Sequence, residues 1–248
     1  MDDKANGTHH EGMTATTSRP ADPAPRSTAA QAEQGPAPVL MHPARRAAQL
    51  LLGLVGYGVS MAMMLHSGQG AMPWAVLDQG IVDRTGLAYG WVVLGIGLLV
   101  MLAWIPLREK PGIGTVANII VISLVVDPAL WAVRRLLPDP VLAVEIGLAL
   151  GGIVLIGAST AAYVGARLGP GPRDGLMTGL VHVTGWPVWL VKTIIEVSVV
   201  VLGVLLGGTF GWATVVFALG VGPVVQVAAR WLAPAGMSAR SRPPKGNP

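Results

Sequence analysis

Six long apolar stretches constrain this chain more than any other feature of its sequence. They run approximately over residues 46–66, 87–107, 113–133, 141–166, 187–207 and 211–232. As a helix, each stretch is long enough to cross a hydrocarbon core about 30 Å thick. Only 12% of the residues are charged, against roughly 25% in an ordinary soluble domain. The sequence therefore predicts an all-α membrane protein with six transmembrane helices.

The two ends of the chain and the basic residues predict how these helices are oriented. Residues 1–43 and 233–248 are rich in proline and small polar residues and lack apolar periodicity, so we expect disordered tails. With the N-terminus in the cytoplasm, all of the 17 lysines and arginines lie inside except Arg84, Arg134 and Arg135. The positive-inside rule therefore places both tails in the cytoplasm, with the lipid bilayer as the partner of the six helices.

The chain resembles itself at an offset of 99 residues, without a gap from residue 51 to residue 126. The matched positions include Gly53/Gly152, Ser60/Ser159, Gly70/Gly169, Pro73/Pro172, Gly80/Gly179 and Gly112/Gly211. This ordered series of glycine, serine and proline indicates an internal repeat. The halves, 44–135 and 141–232, each hold three spans, so the second half crosses in the opposite direction. The sequence thus predicts two inverted three-helix repeats.

A short segment follows the first span of each half. The sequences are HSGQGAMPWAVLDQGIVDRTG and ARLGPGPRDGLMTGLVHVTG, each with a proline suited to the first turn of a helix. About twelve helical residues extend only about 18 Å, which is too short to span. We expect an interfacial or re-entrant helix in each half. The second one, beside Arg173, favours an anion at its N-terminus. The alternative is a tight turn, with Asp174 stabilising the first helical turn.

The composition argues against several other classes of protein. There are no cysteines, which excludes disulfides and thiolate metal sites. The five histidines are dispersed, and no hydrolase or nucleotide-binding motif appears, so we expect no catalytic residue, no metal and no cofactor. The net charge of +4 is explained by basic residues at membrane-helix ends. We therefore expect neither an enzyme nor a nucleic-acid partner.

Glu196 is the most conspicuous candidate for a functional residue. It lies about ten residues into the fifth span, where a carboxylate is costly unless it is paired or protonated. We predict that Glu196, together with Arg173 and Asp174, forms a proton-coupled site for a small anionic or zwitterionic solute. The alternative is a packing role in which Glu196 pairs with Lys192, one turn earlier.

A second set of candidates comes from the offset of 99 residues. It places Asp127 opposite Gln226, and together with Asn118 these residues could line a polar path between the halves. The alternative is that Asp127 reaches the outer surface and pairs with Arg134 or Arg135.

Three motifs carry a family resemblance: GPGPRDGLMTG at 169–179, GIGT at 112–115, and RR followed by LLGL within 45–54. With them, the stretch 44–232 resembles the YczE branch of the YczE/YyaS/YitT family of bacterial integral membrane proteins. The resemblance implies a location in the bacterial cytoplasmic membrane and carries no agreed binding residues.

The predicted architecture favours one function over another. Inverted repeats recur in secondary transporters, so we predict a permease for a small solute. The alternative is a non-transporting accessory or scaffold protein that stabilises or regulates a partner complex. Either protein could act as a homo-oligomer.

Overall fold

The computed structural model describes residues 43–232, and the predicted tails lie outside the described residues except for Pro43, which begins the first helix. This part of the chain forms eight helices and no strand. They are α1 (Pro43–Ser67), α2 (Pro73–Thr85), α3 (Tyr89–Leu107), α4 (Ile113–Leu136), α5 (Leu142–Gly165), α6 (Pro172–Thr184), α7 (Val188–Leu206) and α8 (Trp212–Leu232).

Six of these helices, α1, α3, α4, α5, α7 and α8, are long and apolar enough to cross a membrane. Their ends lie within three residues of those predicted from the sequence, which confirms the six apolar spans. Large apolar side chains project from their outer surfaces, as with Trp131, which is 69% exposed, and Leu219, which is 76% exposed. A surface of this kind suits lipid, where contact with hydrocarbon carries no penalty.

The two remaining helices, α2 and α6, have 13 residues each and are the predicted short helices. Each begins with a proline, which has no N–H to leave unsatisfied in the first turn. Each ends at a glycine in the left-handed region, Gly86 with φ 70° and Gly185 with φ 69°, where a side chain would be strained. Their length of about 20 Å is too short to span a bilayer.

The helix boundaries recur at the offset found in the sequence. The starts of α2, α3 and α4 at residues 73, 89 and 113 correspond to those of α6, α7 and α8 at 172, 188 and 212. The ends of α2 and α3 at 85 and 107 correspond to 184 and 206. The repeated glycines and prolines therefore mark repeated structural boundaries.

The centre of the bundle is formed by α1 and α5, which pack closely on each other. A Cβ on Gly53 of α1 would lie 2.9 Å from the backbone oxygen of Ser159. A Cβ on Gly152 of α5 would lie 3.1 Å from the backbone oxygen of Ser60. Gly152 and Ser159 are the 99-residue counterparts of Gly53 and Ser60, so the two contacts are reciprocal. Small residues at both positions let the two backbones approach.

Each short helix packs against a long helix of the other half, α2 against α7 and α6 against α3. At Gly203 of α7, a Cβ would lie 2.6 Å from the backbone of Val76 in α2. At Gly175 of α6, a Cβ would meet the indole ring of Trp104 in α3. The contact of Gly203 with Val76 and that of Trp104 with Gly175 are related by the 99-residue offset. The short helix of each half therefore packs in the same way against the other half.

Candidate functional site

A cavity of about 60 Å³ lies inside the bundle, beside the start of α6. Its polar lining comes from α1, α4, α5 and α6, with apolar residues such as Val93 of α3 completing the wall. The polar residues are Tyr57, Asn118, Tyr163, Arg173 and Asp174. One water needs about 10–15 Å³ measured in this way, so the cavity has room for a few waters or a small solute.

Arg173 connects the cavity to the other half of the chain. Its guanidinium donates to Asp78 Oδ2 at 3.2 Å and stacks over the Trp74 ring, 4.8 Å from the ring centre. Asp78 and Trp74 lie one turn apart on α2, so they share a face of that helix. Arg173, in the first turn of α6, is therefore held on one face of α2.

Asp78 is the most deeply buried charged side chain at this site, with none of its surface exposed. Its second oxygen, Oδ1, is also buried and has no hydrogen-bond partner. Asp78 lies in a short helix, outside the six spans. Burial raises the pKa of Asp78 to about 6, and the nearby Arg173 guanidinium opposes that rise.

The Asp174 carboxylate has hydrogen-bond partners other than Arg173. Its Oδ2 accepts a hydrogen bond from the Tyr163 hydroxyl at 3.0 Å and one from the backbone N–H of Gly171 at 3.3 Å. The second bond closes the N-terminus of α6. Burial raises the pKa of Asp174 above its usual value, and these two hydrogen bonds oppose the rise. Asp174 thus both caps α6 and lines the cavity.

Of the six residues predicted from the sequence, Asn118, Arg173 and Asp174 lie together at the cavity. Glu196 is not part of its lining. The Glu196 carboxylate lies 3.7 Å from Lys192 Nζ, four residues earlier on α7, which is the pairing that the alternative interpretation predicted. Depth along α7 placed Glu196 inside the bilayer, but depth does not determine which face of a helix a residue occupies.

Asp127 and Gln226 also lie outside the cavity lining. Both Asp127 oxygens accept hydrogen bonds from backbone N–H groups at the start of α3, from Tyr89 at 3.0 Å and from Gly90 at 2.9 Å. Gln226 is exposed on α8. The structure thus assigns Asp127 to the N-terminus of α3. It brings Asp127 neither into a polar path with Gln226 nor to the outer arginines.

Sequence reasoning missed four residues of the site: Trp74, Asp78, Tyr57 and Tyr163. One signal was present, because Trp74 and Arg173 are counterparts at the 99-residue offset. Equivalent residues of two related halves can meet where the halves touch, so Trp74 and Arg173 were candidates for contact. Asp78 lies one turn beyond Trp74 on the same helix and was therefore a candidate partner for Arg173. Within residues 43–232, no group of three or more acidic or histidine side chains could hold a metal ion.

Comparison with known proteins covers the whole membrane region. A family model described as "Family of unknown function (DUF6198)" matches residues 44–230. The chain belongs to the DUF6198 family. The match includes both halves of this DUF6198 protein, as well as the residues around the cavity.

Individual relatives support the same assignment. A Haemophilus influenzae protein, described as uncharacterized, is 41% identical over 177 residues, covering 71% of this chain and 80% of that protein. The Bacillus subtilis membrane protein YczE is 28% identical over 174 residues, covering 70% and 79%. YyaS of Bacillus subtilis is 24% identical over 165 residues, covering 66% and 82%. The expected likeness to YczE and YyaS is confirmed, and the protein is a multi-pass membrane protein. No solved structure matches the chain.

Proposed function

We propose that this DUF6198 protein is a permease that carries a small solute across the bacterial cytoplasmic membrane. One observation carries the proposal: the first turn of α6 meets the first two turns of α2 beside a polar cavity, through Arg173, Trp74 and Asp78. Broken or short helices that present their N-termini to a central site are typical of secondary transporters.

Reciprocal contacts support an architecture of two inverted repeats. If a residue of one half contacts a residue of the other, a two-fold axis requires the counterparts to make the same contact. Gly114 N–H donates to Leu168 at 2.7 Å, and the counterpart Ala213 N–H donates to Gln69 at 3.1 Å. The glycine contacts between α1 and α5 obey the same relation. Since each half has three spans, such an axis lies in the membrane plane.

The same contacts support re-entrant rather than interfacial short helices. The N-terminal residues Trp74 and Arg173 touch each other, and each helix then leads to the start of the next span, α3 or α7. In inverted halves, these two starts lie at opposite faces of the membrane. The helices α2 and α6 therefore enter from opposite faces with their first turns towards the middle.

The proposed orientation has the start of α1 and the end of α8 at the cytoplasmic face of the membrane. The guanidinium of Arg46, near the start of α1, donates to the carbonyls of Ala166 at 3.0 Å and Arg167 at 2.9 Å. This cluster of basic residues at one end of the bundle suits the cytoplasmic face. The loop before α6 then faces the cytoplasm, and the loop before α2 faces outside.

A second candidate function has its own support. The cavity of about 60 Å³ is small, and Arg173 and Asp174 each have a partner within the chain. Tight internal packing of this kind also suits a non-transporting accessory protein whose lipid-facing helices bind a partner or a second copy. Transport requires the cavity to open and exchange solute, which an accessory protein does not.

Purified protein in liposomes distinguishes the two functions. Uptake and counterflow of a broad panel of labelled small metabolites would be measured, with protein-free liposomes as the control. We expect saturable uptake of at least one solute, which Asn118→Leu blocks because leucine adds apolar bulk without a hydrogen-bonding group to the cavity wall. Asn118→Leu must melt like the wild type for this comparison. Failure of the wild-type protein to take up or exchange any solute would favour the accessory function.

A further inference from the structure

We infer that the cavity binds a small monocarboxylate at Arg173, and that Asp78 releases Arg173 to this anion when Asp78 takes up a proton. The inference deepens the proposed function, because it concerns the same cavity and names the class of solute. It rests on the geometry of one guanidinium shared between two short helices and on the room left beside it.

Arg173 is suited to receive an anion. About a quarter of its side chain is exposed, and that side chain lines the cavity. A guanidinium has five N–H donors; the contact to Asp78 at 3.2 Å uses a single nitrogen, Nη2, and Tyr57 is a second side-chain partner, so the five donors are not all used. The Trp74 ring supports the face of the guanidinium and leaves its edge for hydrogen bonds. A carboxylate can pair with such an edge through two parallel bonds.

Asp78 competes with that anion. While Asp78 is ionised, its charge neutralises Arg173, and a second carboxylate in the same buried place would face a like charge. When Asp78 is protonated, the repulsion disappears and Arg173 gains a new partner in the bound anion. Asp78 Oδ1, which has no hydrogen-bond partner, is available to carry the proton. Burial already raises the pKa of this group to about 6.

The other ionisable groups around Asp78 do not replace it in this role. Tyr57 of α1 and Tyr89 of α3 face it, and tyrosines are un-ionised near neutral pH. On α7, which packs along α2, the charged side chains Lys192 and Glu196 pair with each other. Asp78 is therefore the carboxylate in direct contact with Arg173, and its protonation removes the negative charge nearest to the guanidinium.

Two other acidic side chains lie near Asp78, namely Asp174 and Asp83. Asp174 is held by Tyr163 and by the start of α6. Asp83, one turn further along α2 than Asp78, is exposed. Asp174 interacts with the charge of Arg173 at a distance, whereas the ion pair that Arg173 forms among the described contacts is with Asp78.

The dimensions of the cavity limit the anion to a small one. A volume of about 60 Å³ accommodates a solute of only a few heavy atoms. Asp174, on the same wall, disfavours a second negative charge, whereas Asn118 and Tyr57 offer hydrogen bonds to a hydroxyl or carbonyl. One anion on Arg173 and one proton on Asp78 enter together, so the pair is electrically neutral.

The test uses the purified full-length protein and labelled L-lactate, with glycine and choline as zwitterionic and cationic competitors. We expect lactate to bind, and its apparent affinity to fall about 100-fold from pH about 5 to pH about 8, as the protonated fraction of Asp78 falls. In Asp78→Asn, which mimics the protonated acid, the change should shrink to about twofold. The control Asp83→Asn should retain the full pH dependence. Arg173→Gln should abolish binding at both pH values.

A second measurement needs no variant. Lactate binding to the wild-type protein in weak buffer near neutral pH should take up about one proton per anion, read with a pH-sensitive dye. The absence of proton uptake would overturn the inference, as would an Asp78→Asn protein that keeps the wild-type pH dependence. Preferential binding of glycine or choline would overturn the assignment of a carboxylate.

Liposome uptake separates this inference from the proposed function. Proton-linked lactate binding without lactate uptake would support the site and contradict the permease. Uptake of another solute by a protein that does not bind lactate would support the permease and overturn the site.

Discussion

Replacing Gly175 with alanine tests the packing that positions the cavity residues. Gly175 lies in the first turn of α6, against the indole of Trp104 in α3. A Cβ at Gly175 would lie 2.5 Å from Cη2 and 2.6 Å from Cε2 of that ring, and closer still to Cζ2. Trp104 is only 2% exposed, and its indole N–H donates to the Pro172 carbonyl at 3.0 Å. The ring therefore cannot yield without loss of packing or of this hydrogen bond.

The expected change in the free energy of unfolding combines two destabilising effects and one stabilising effect. Overpacking a buried site costs about 1–3 kcal/mol. Loss of the indole hydrogen bond adds about 1 kcal/mol, and the better helix propensity of alanine returns about 1 kcal/mol. The net loss of about 1–3 kcal/mol should lower the melting temperature by about 3–10 °C for a chain of this size.

The assay is thermal unfolding of the purified protein in detergent, followed by tryptophan fluorescence. Gly95→Ala is the matched control, because Gly95 lies in α3 and a Cβ there would meet no atom within 4 Å. The double variant Gly175→Ala/Trp104→Phe should melt higher than the two single changes predict together, since the smaller ring makes room for the methyl group. A Gly175→Ala protein that melts like the Gly95→Ala control would refute the close approach of α6 to α3.

Three further predictions address other parts of the bundle. Asp127→Ala should lower the melting temperature by about 3–12 °C, because two N–H groups at the start of α3 lose an acceptor worth about 1.5–3 kcal/mol; an unchanged melting temperature would contradict this role. Glu196→Gln should leave the pH dependence of lactate binding unchanged, because Lys192 holds that carboxylate; loss of the pH dependence would make Glu196 the proton site. The chain has no cysteine, so Lys110→Cys and Arg135→Cys provide unique labels. An impermeant maleimide should reach the first from inside and the second from outside, and labelling of both from one side would contradict inverted halves.

The six spans and the two short helices could be predicted from the sequence because local features determine them. Length and apolar composition mark a span, and proline and glycine mark the start and end of α2 and α6. The predicted short helices match the structure for a further reason. The proline that begins each short helix and the glycine that ends it occur twice, 99 residues apart, so each copy supports the interpretation of the other.

The site was predicted only in part, because its remaining members depend on contacts between distant segments. Arg173 was a visible charge, but its partner Asp78 belongs to a helix of the other half. Glu196 was selected by its depth in a span, and depth does not distinguish a residue inside the bundle from one paired along its own helix. Asp127 was selected because the 99-residue offset places it opposite Gln226, whereas its carboxylate accepts hydrogen bonds from the backbone at the start of α3.

Departures from the repeat explain why the Arg173–Asp78 ion pair has no counterpart at the equivalent positions of the repeat. Trp74 and Arg173 are counterparts that touch each other, which can occur only where the proposed two-fold axis passes between them. Two arginines there would repel, and two tryptophans would carry no charge, whereas one of each gives a cation held against a ring. Asp78 likewise has an apolar counterpart, Met177. The ion pair therefore forms once, next to the cavity. Glycines and prolines at repeated positions maintain the packing of both halves, and substitutions at the axis provide the chemistry.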